Sequence, residues 1–593
     1  MAASDSSQRM QLQRGTLMGR PEPRLSREEI AKREIGRTEI RPALAWVIVA
    51  VFLATIIAVP TTQSIQEMTH GGNTVKDSRW PGWCGIASTF DGVSDSYRKT
   101  AGSQFTRIVA ANARLLKNLH DYEGRLEDES FLTRRLLAPT QYWLTRVGGL
   151  GNEKAYVGLD RWLFYRPGVD YVTGPGFLEP AAIARRASGG NEYTAAPQPD
   201  PRPAILEFKN RLARSGVQLI LMPTPDKSMI EPEQFSSRYR DWPGVLQNPS
   251  YERFKSEMEA KGVLVFDPAP LLRQRKRQSG QAQFLTTDTH WTPDAMETVA
   301  ERLSEYIAKH TVLPARPVSR YGSRSMNVRN LGDVAVMMRL PSDQNLFPEQ
   351  SVTIRQVLQP EGSPWRPDPN ADVLLLGDSF TNIYSMSEMN WGESAGFAEQ
   401  LSFTMGRAVD RIAQNDAGAY ATRQALATEL ARGNDRLAGK RVLIWQFAIR
   451  ELAAGDWKPV PWTEASPASK TPANGPTAPG VGRLLVQGRI KAISTVPQPG
   501  SVPYRDAILA LHLTEVESLR GTASPPEAVI YLWGMRDNRL TSAARYRPGQ
   551  SVPLALTPWE QAKDRYGRFT RVELDDPDFR LIDLPAYWAD VTP

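Results

Sequence analysis

Four short apolar runs, Val217 to Met222, Val263 to Phe266, Val373 to Leu376 and Val442 to Phe447, recur along the middle of this chain. They are too short for helices, and their apolar character, interrupted only by Gln218 and Gln446, marks buried strands. Helical stretches fall between them. Ala204 to Ser215 is one, and another opens at Thr292, an N-cap followed by Pro293 and Asp294, and runs to about Lys309. Strands alternating with helices build a mainly parallel α/β sheet with flanking helices and crossover connections. Such sheets place their sites beyond the carboxyl ends of the strands. Two motifs fall there: Pro223-Thr224-Pro225-Asp226-Lys227 after the first run, and Gly377-Asp378-Ser379 after the third.

The remaining organisation is read from composition. The chain has 593 residues, enough for two or three domains, with the 41% hydrophobic and 23% charged content of an ordinary globular protein. Ala43 to Val59 carries no charge. As a helix it rises about 25 Å against ~30 Å of hydrocarbon, a span at the short end of the range. Residues 1–42 carry nine Lys or Arg against six acids. That basic flank predicts a cytoplasmic segment over 1–42 and a transmembrane signal anchor over 43–61, with the chain beyond about residue 65 outside the cytoplasmic membrane. A buried core helix and a cleaved signal peptide are the alternatives, but the charged region is long for a signal peptide and no clear small-x-small site follows.

Residues 98–147 have helical apolar spacing, and Tyr156 to Tyr165 reads as two short strands around a turn. A polar Pro/Gly-rich loop covers 186–203. Six prolines within 457–482 make a semi-rigid linker. It separates a main domain over 65–456 from a small all-β, barrel-like domain over 483–593, with strands at Leu484 to Ile493, Arg505 to Val516, Ala528 to Met535 and Gln550 to Leu556. The linker predicts two independently folding bodies.

The chemistry rests on few residues. Cys84 is the only cysteine and the five histidines are scattered, so neither an intramolecular disulfide nor a metal site is expected. No basic-aromatic stripe points to nucleic acid. Of the histidines, only His290 has a carboxylate at fixed short spacing, in Asp288-Thr289-His290-Trp291 at a helix entrance. A serine hydroxyl needs a base to become a nucleophile, and the base needs an orienting acid. Ser379, His290 and Asp288 fill those roles, with the Ser379 N–H facing a developing oxyanion. Asn382 and the backbone at Gly392 are candidates for the second oxyanion donor. Lys227 is a candidate substrate residue against a surface lysine that ends a turn, and Trp291 a candidate platform against a packing residue. Trp445 and Arg450 anchor the last strand and its loop.

Taken together, Asp288-x-His290-Trp291 and Gly377-Asp378-Ser379-Phe380 resemble the AlgJ/AlgX branch of the SGNH hydrolase-like proteins, the alginate O-acetyltransferase family. Gly158-Leu159-Asp160-Arg161-Trp162-Leu163-Phe164-Tyr165 fits a family motif, with Arg161 in place of the usual Gly. So do the Pro223-to-Lys227 stretch, Leu331-Gly332-Asp333-Val334-Ala335, and Trp445 through Leu452. The resemblance spans about 150–460. It implies an SGNH-like fold, Asp288, His290 and Ser379 as the triad, and periplasmic O-acetylation of an exopolysaccharide by a single-pass inner-membrane protein with no bound cofactor. It further implies a membrane-bound O-acyltransferase partner that passes on acetyl groups from cytoplasmic acetyl-CoA. A periplasmic acetyl-esterase with the same triad, and a non-catalytic polysaccharide-binding or scaffold component, are the alternatives. The barrel-like domain could bind polysaccharide or a partner.

Overall fold

The computed structural model describes residues 41–70, 86–190 except 88, 196–460 except 416–417, and 484–591 except short stretches at 501, 503, 520–523, 568, 575–580 and 582–583. Most of the basic segment 1–42, Cys84, the centre of the 186–203 loop and most of the 457–482 linker lie outside them. Residues 1–134 and 135–593 form two compact units.

In the first unit, the apolar run forms a helix, Pro42–His70, longer than the uncharged core alone. Its stretch Pro42–Gln66 is long and apolar enough to cross a membrane, and its apolar residues are exposed. Helices Val93–Lys99 and Gln104–Glu129 follow, and the Asn118 amide of the second donates to the Thr89 and Asp91 carbonyls just before the first, at 2.7 and 2.9 Å.

The second unit is built around a five-stranded sheet. Its strands are β1 (Gln218–Thr224), β2 (Leu264–Val265), β3 (Val373–Gly377), β4 (Asp410–Ala413) and β5 (Val442–Ala448), in the order β2-β1-β5-β3-β4. Every pairing is parallel. Ile220 and Leu375 flank Ile444 in register, and all three are fully buried. Helices Pro201–Arg214, Tyr251–Ala260, Pro293–His310, Phe397–Met405 and Gly418–Ala431 bury residues in the same core. This is the SGNH-like α/β architecture. The Tyr156 region pairs as expected, Ala155–Val157 antiparallel to Leu163–Tyr165, and the turn between them holds Asp160 and Arg161 at positive φ.

The C-terminal strands close on themselves. β6 (Leu484–Ile493), β7 (Ala507–Ser518), β8 (Glu527–Arg536), β9 (Ser551–Pro558) and β10 (Ala586–Val591) pair in the ring β6-β7-β8-β10-β9-β6. Closure removes the sheet edges. Alternation along β7 explains its continuous apolarity: Leu509, Leu511 and Leu513 fill one core, while Ile508 and Ala510 pack on the other side with Trp588. The barrel does not stand apart. Tyr504, Ala507 and Met535 are buried in the core shared with the five-stranded sheet.

Candidate active site

β3 ends at Gly377, where a Cβ would lie 2.2 Å from the Thr381 Oγ1. Glycine is needed there because the chain turns back onto itself. Asp378 then caps the four-residue helix Ser379–Asn382 by accepting from the Phe380 N–H at 2.9 Å. Its other oxygen accepts from the Ala448 N–H at 2.6 Å, tying the turn to the end of β5. Gln446, also on β5, completes the brace. Its amide oxygen accepts from the Asp378 N–H and the Thr381 hydroxyl at 2.9 and 2.8 Å, and its amide nitrogen donates to Thr224 and Asp378 at 3.0 and 2.9 Å. Ser379 is thus held at the carboxyl end of the sheet. As the first residue of its helix it has an N–H with no intrahelical acceptor.

His290 arrives from the other side, on the loop before helix Pro293–His310. Thr292 caps that helix through the Ala295 N–H at 3.3 Å, as its sequence position predicts. The His290 Nε2 lies 2.8 Å from the Ser379 Oγ, and its Nδ1 lies 2.6 Å from the Asp288 Oδ1. The Asp288 Oδ2 accepts from the Trp391 indole N–H at 2.8 Å and the Asp333 N–H at 3.0 Å. All three side chains are buried, Ser379 being 4% exposed. Asp288, His290 and Ser379 are therefore brought together in the order needed for proton transfer.

The electrostatics favour that order. Burial pushes the Asp288 carboxyl up, but His290, Trp391 and the Asp333 N–H overcome this and bring it to about 2. Burial alone would lower the His290 pKa, yet the facing Asp288 carboxylate, helped by Asp333 and Asp378, raises it above the ordinary imidazole value. Asp333 is held up to about 6 by burial and by the Asp288 charge. Asp333 also accepts from the Thr289 N–H at 2.6 Å, fixing the loop between the acid and the base. Ligand atoms of Asp288, His290 and Asp333 lie within 4.8 Å of one another, but both His290 ring nitrogens are engaged in the line from Ser379 to Asp288.

The other predicted residues are placed differently. Lys227 is buried and donates to the Leu163 and Thr286 carbonyls at 2.7 and 3.1 Å, beside the Trp162 and Phe164 rings. Burial brings its pKa down to about 8, against the pull of Asp288, Asp333 and Glu231. It ties the Leu163–Tyr165 strand to the His290 loop and is neither a surface lysine nor open to substrate. Trp291 is fully buried, packed on Phe380 and Phe397, with its carbonyl accepting from the Tyr384 hydroxyl at 2.7 Å. It is a packing residue. Trp445 is buried, and the Arg450 guanidinium donates to Asp226 at 2.6 Å, consistent with an anchoring role at the end of β5.

Asn382 shares the Ser379 helix. Its amide donates to Asn415 at 2.8 Å, Asn415 donates to the barrel's Thr570 at 2.9 Å, and the Asn382 Oδ1 has no hydrogen-bond partner among the described residues. Gly392, at φ 91°, instead borders a cleft with Asp288 and Asp333, on the carboxylate side of the imidazole. That cleft, about 680 Å³, and a second of about 800 Å³ bordered by Asn382, Arg411, Tyr531 and Trp559 both run between the α/β domain and the barrel. Ser379 is in the lining of neither. Asp333, Trp391 and Gln446 are the supporting residues that spacing alone does not reveal.

The SGNH hydrolase-like domain of the acetyltransferase AlgX matches residues 156–449. A probable alginate O-acetylase AlgJ from Pseudomonas fluorescens is 26% identical over 336 residues, 55% of this chain and 75% of that protein. The probable alginate O-acetylase AlgJ of Pseudomonas aeruginosa is 32% identical over 160 residues, 27% of this chain and 38% of that protein. Among solved structures, the O-acetyltransferase domain of Pseudomonas putida AlgJ aligns over 51% of this chain and 93% of its own, at 21% identity and a TM-score of 0.37. Residues 156–449 form an SGNH hydrolase-like domain of the AlgJ/AlgX-like acetyltransferase family.

Proposed function

We propose that this chain O-acetylates hydroxyls of an exported exopolysaccharide through an acetyl group carried on Ser379. The observation that carries the proposal is the hydrogen-bonded line from the Ser379 Oγ to His290 to Asp288, at 2.8 and 2.6 Å. The Ser379 Oγ attacks the carbonyl carbon of an acetyl donor while the His290 Nε2 takes the hydroxyl proton. Asp288 keeps the imidazole in the tautomer with its free lone pair toward serine, and its charge supports the imidazolium that forms. The Ser379 N–H, at a helix start, stabilises the oxyanion, with Asn382 as the second donor on the same helix. Collapse expels the donor oxygen, which takes the proton back from His290. A sugar hydroxyl then repeats the cycle on the acetyl-enzyme, with His290 as base, and leaves as the acetate ester.

In this reading the helix Pro42–His70 anchors the chain in the cytoplasmic membrane, with residues beyond 65 on the periplasmic side. A membrane-bound O-acyltransferase supplies acetyl groups that begin as acetyl-CoA, and the barrel helps hold polymer. The test is partition of product. With a small acetyl ester as donor and an oligosaccharide as acceptor, purified protein should form acetylated sugar faster than free acetate, and Ser379→Ala should form neither. Acetate alone, at an undiminished wild-type rate with every sugar tried, would make the chain an esterase. Neither product from wild type would favour a binding role.

A further inference from the structure

Helix Phe131–Gly148 is built inside out. The two side chains it buries fully are polar, while Phe131, Leu132, Ala138 and Tyr142 are half-buried. Gln141 and Thr145 are buried, the Gln141 amide donates to the Thr145 hydroxyl and the Gly151 carbonyl at 3.1 Å each, and the Thr145 hydroxyl donates to the Leu150 carbonyl at 2.9 Å. The side chains it turns outward are apolar. Leu136, Leu137, Trp143, Leu144 and Val147 fall with Thr133 and Thr140 in an arc of roughly 120°, whose centre lies about 120° around the helix from the buried pair. Trp143 is 65% and Val147 73% exposed. Leu150, just past the helix end, extends the patch. A surface helix of a water-soluble body shows the reverse pattern, so this face is made to be covered.

Composition says by what. Residues 131–152 contain three arginines, Arg134, Arg135 and Arg146, and no Asp or Glu. Apolar side chains with Trp beside them and arginines flanking them are the composition of a helix lying in a membrane interface, where the arginines meet anionic headgroups. The chain also carries a helix fit to cross a bilayer, at Pro42–Gln66. We propose that helix Phe131–Gly148 lies on the lipid surface of the membrane in which the chain is anchored, its Leu136–Trp143–Val147 face in the headgroup region. The inference rests on the reading of Pro42–Gln66 as a membrane span. A docked helix would hold the α/β domain against the bilayer in a fixed orientation.

The test uses the full chain, with Cys84→Ser and Val147→Cys carrying an environment-sensitive fluorophore, reconstituted in phosphatidylethanolamine vesicles rich in phosphatidylglycerol. A matched protein carries the label at the exposed Arg302 position. Vesicle flotation reports the span and the label reports the helix. The expected result is flotation of both proteins, with the label at 147 quenched by lipid-borne nitroxides near the headgroups and about fivefold less accessible to aqueous iodide than the label at 302. Moving the label to Leu136→Cys should reproduce it. Three results would overturn the proposal. Flotation with equal iodide access at 147 and 302 would leave the span intact but the helix in water. Protection from iodide without nitroxide quenching would mean that protein covers the face, whether helix Gln104–Glu129, a second copy or a membrane partner. Failure to float would remove the span and the docking together.

Discussion

Both carboxylate oxygens of Asp288 are committed, one to the imidazole and the other to the Trp391 indole and the Asp333 N–H. Hydrogen bonds to a buried charged group are worth about 1.5–3 kcal/mol. Trp391→Phe keeps an aromatic ring in place and removes one of them. It should lower kcat about tenfold with KM little changed, because the imidazolium forms only as the reaction proceeds. Steady-state kinetics on a small acetyl ester checks this, and an unchanged kcat would make the indole a packing group only. Asp333 gives a prediction in pH. The reactive form of His290 is neutral, and its pKa is raised, so the acidic limb of kcat/KM should lie above the ordinary imidazole value of about 6.5. Asp333 contributes to that rise by favouring the imidazolium. Asp333→Asn keeps an oxygen for the Thr289 N–H and removes the charge, so the His290 pKa should fall and the limb should move to lower pH. A limb that stayed in place or rose would contradict the electrostatic account.

At the scale of elements, the site depends on three strand ends being locked together, and Gln446 is the lock. Its amide makes four hydrogen bonds, to Thr224 at the end of β1, to Asp378 twice and to Thr381. Gln446→Leu would leave several buried polar groups unpaired at ~1–3 kcal/mol each. It should destabilise the fold by about 3 kcal/mol or more in denaturant titration, and a change below about 1 kcal/mol would show the brace to be dispensable. The strands that meet here were legible in the sequence because β1, β3 and β5 are mostly apolar, with few polar residues among them. β4 was not, because its residues are Asp410, Arg411, Ile412 and Ala413. Asp410 is fully buried yet ionically matched by Arg436 and by Lys440 at 3.3 Å, a compensation no local pattern reveals. The triad was legible because Asp288 and His290 are near neighbours and other histidines are few. Asp333 and Trp391 reach the same carboxylate from distant stretches of chain. Lys227 was visible as a motif residue, but its role followed only from the carbonyls it meets.

At the scale of the molecule, the linker composition pointed to two separable bodies, whereas the barrel's Tyr504, Ala507 and Met535 are buried in the core of the α/β domain. A further thread of hydrogen bonds runs from Thr570 through Asn415 to Asn382 on the Ser379 helix. Ending the chain at residue 460 removes both. The shortened protein should melt roughly 5 °C or more below the full chain in the same detergent, a loss of several kcal/mol, since one kcal/mol corresponds to about 2–4 °C at 150–250 residues and to less in a larger body. Coincident midpoints would mean that the shared core contributes little. The central claim concerns a single oxygen atom, and the most direct measurement is peptide mass spectrometry of protein quenched during turnover of an acetyl ester. The account predicts an added acetyl group on the peptide containing Ser379, absent from Ser379→Ala and strongly reduced in His290→Ala. Turnover at the wild-type rate by Ser379→Ala, or an acetyl group found on another residue, would contradict it.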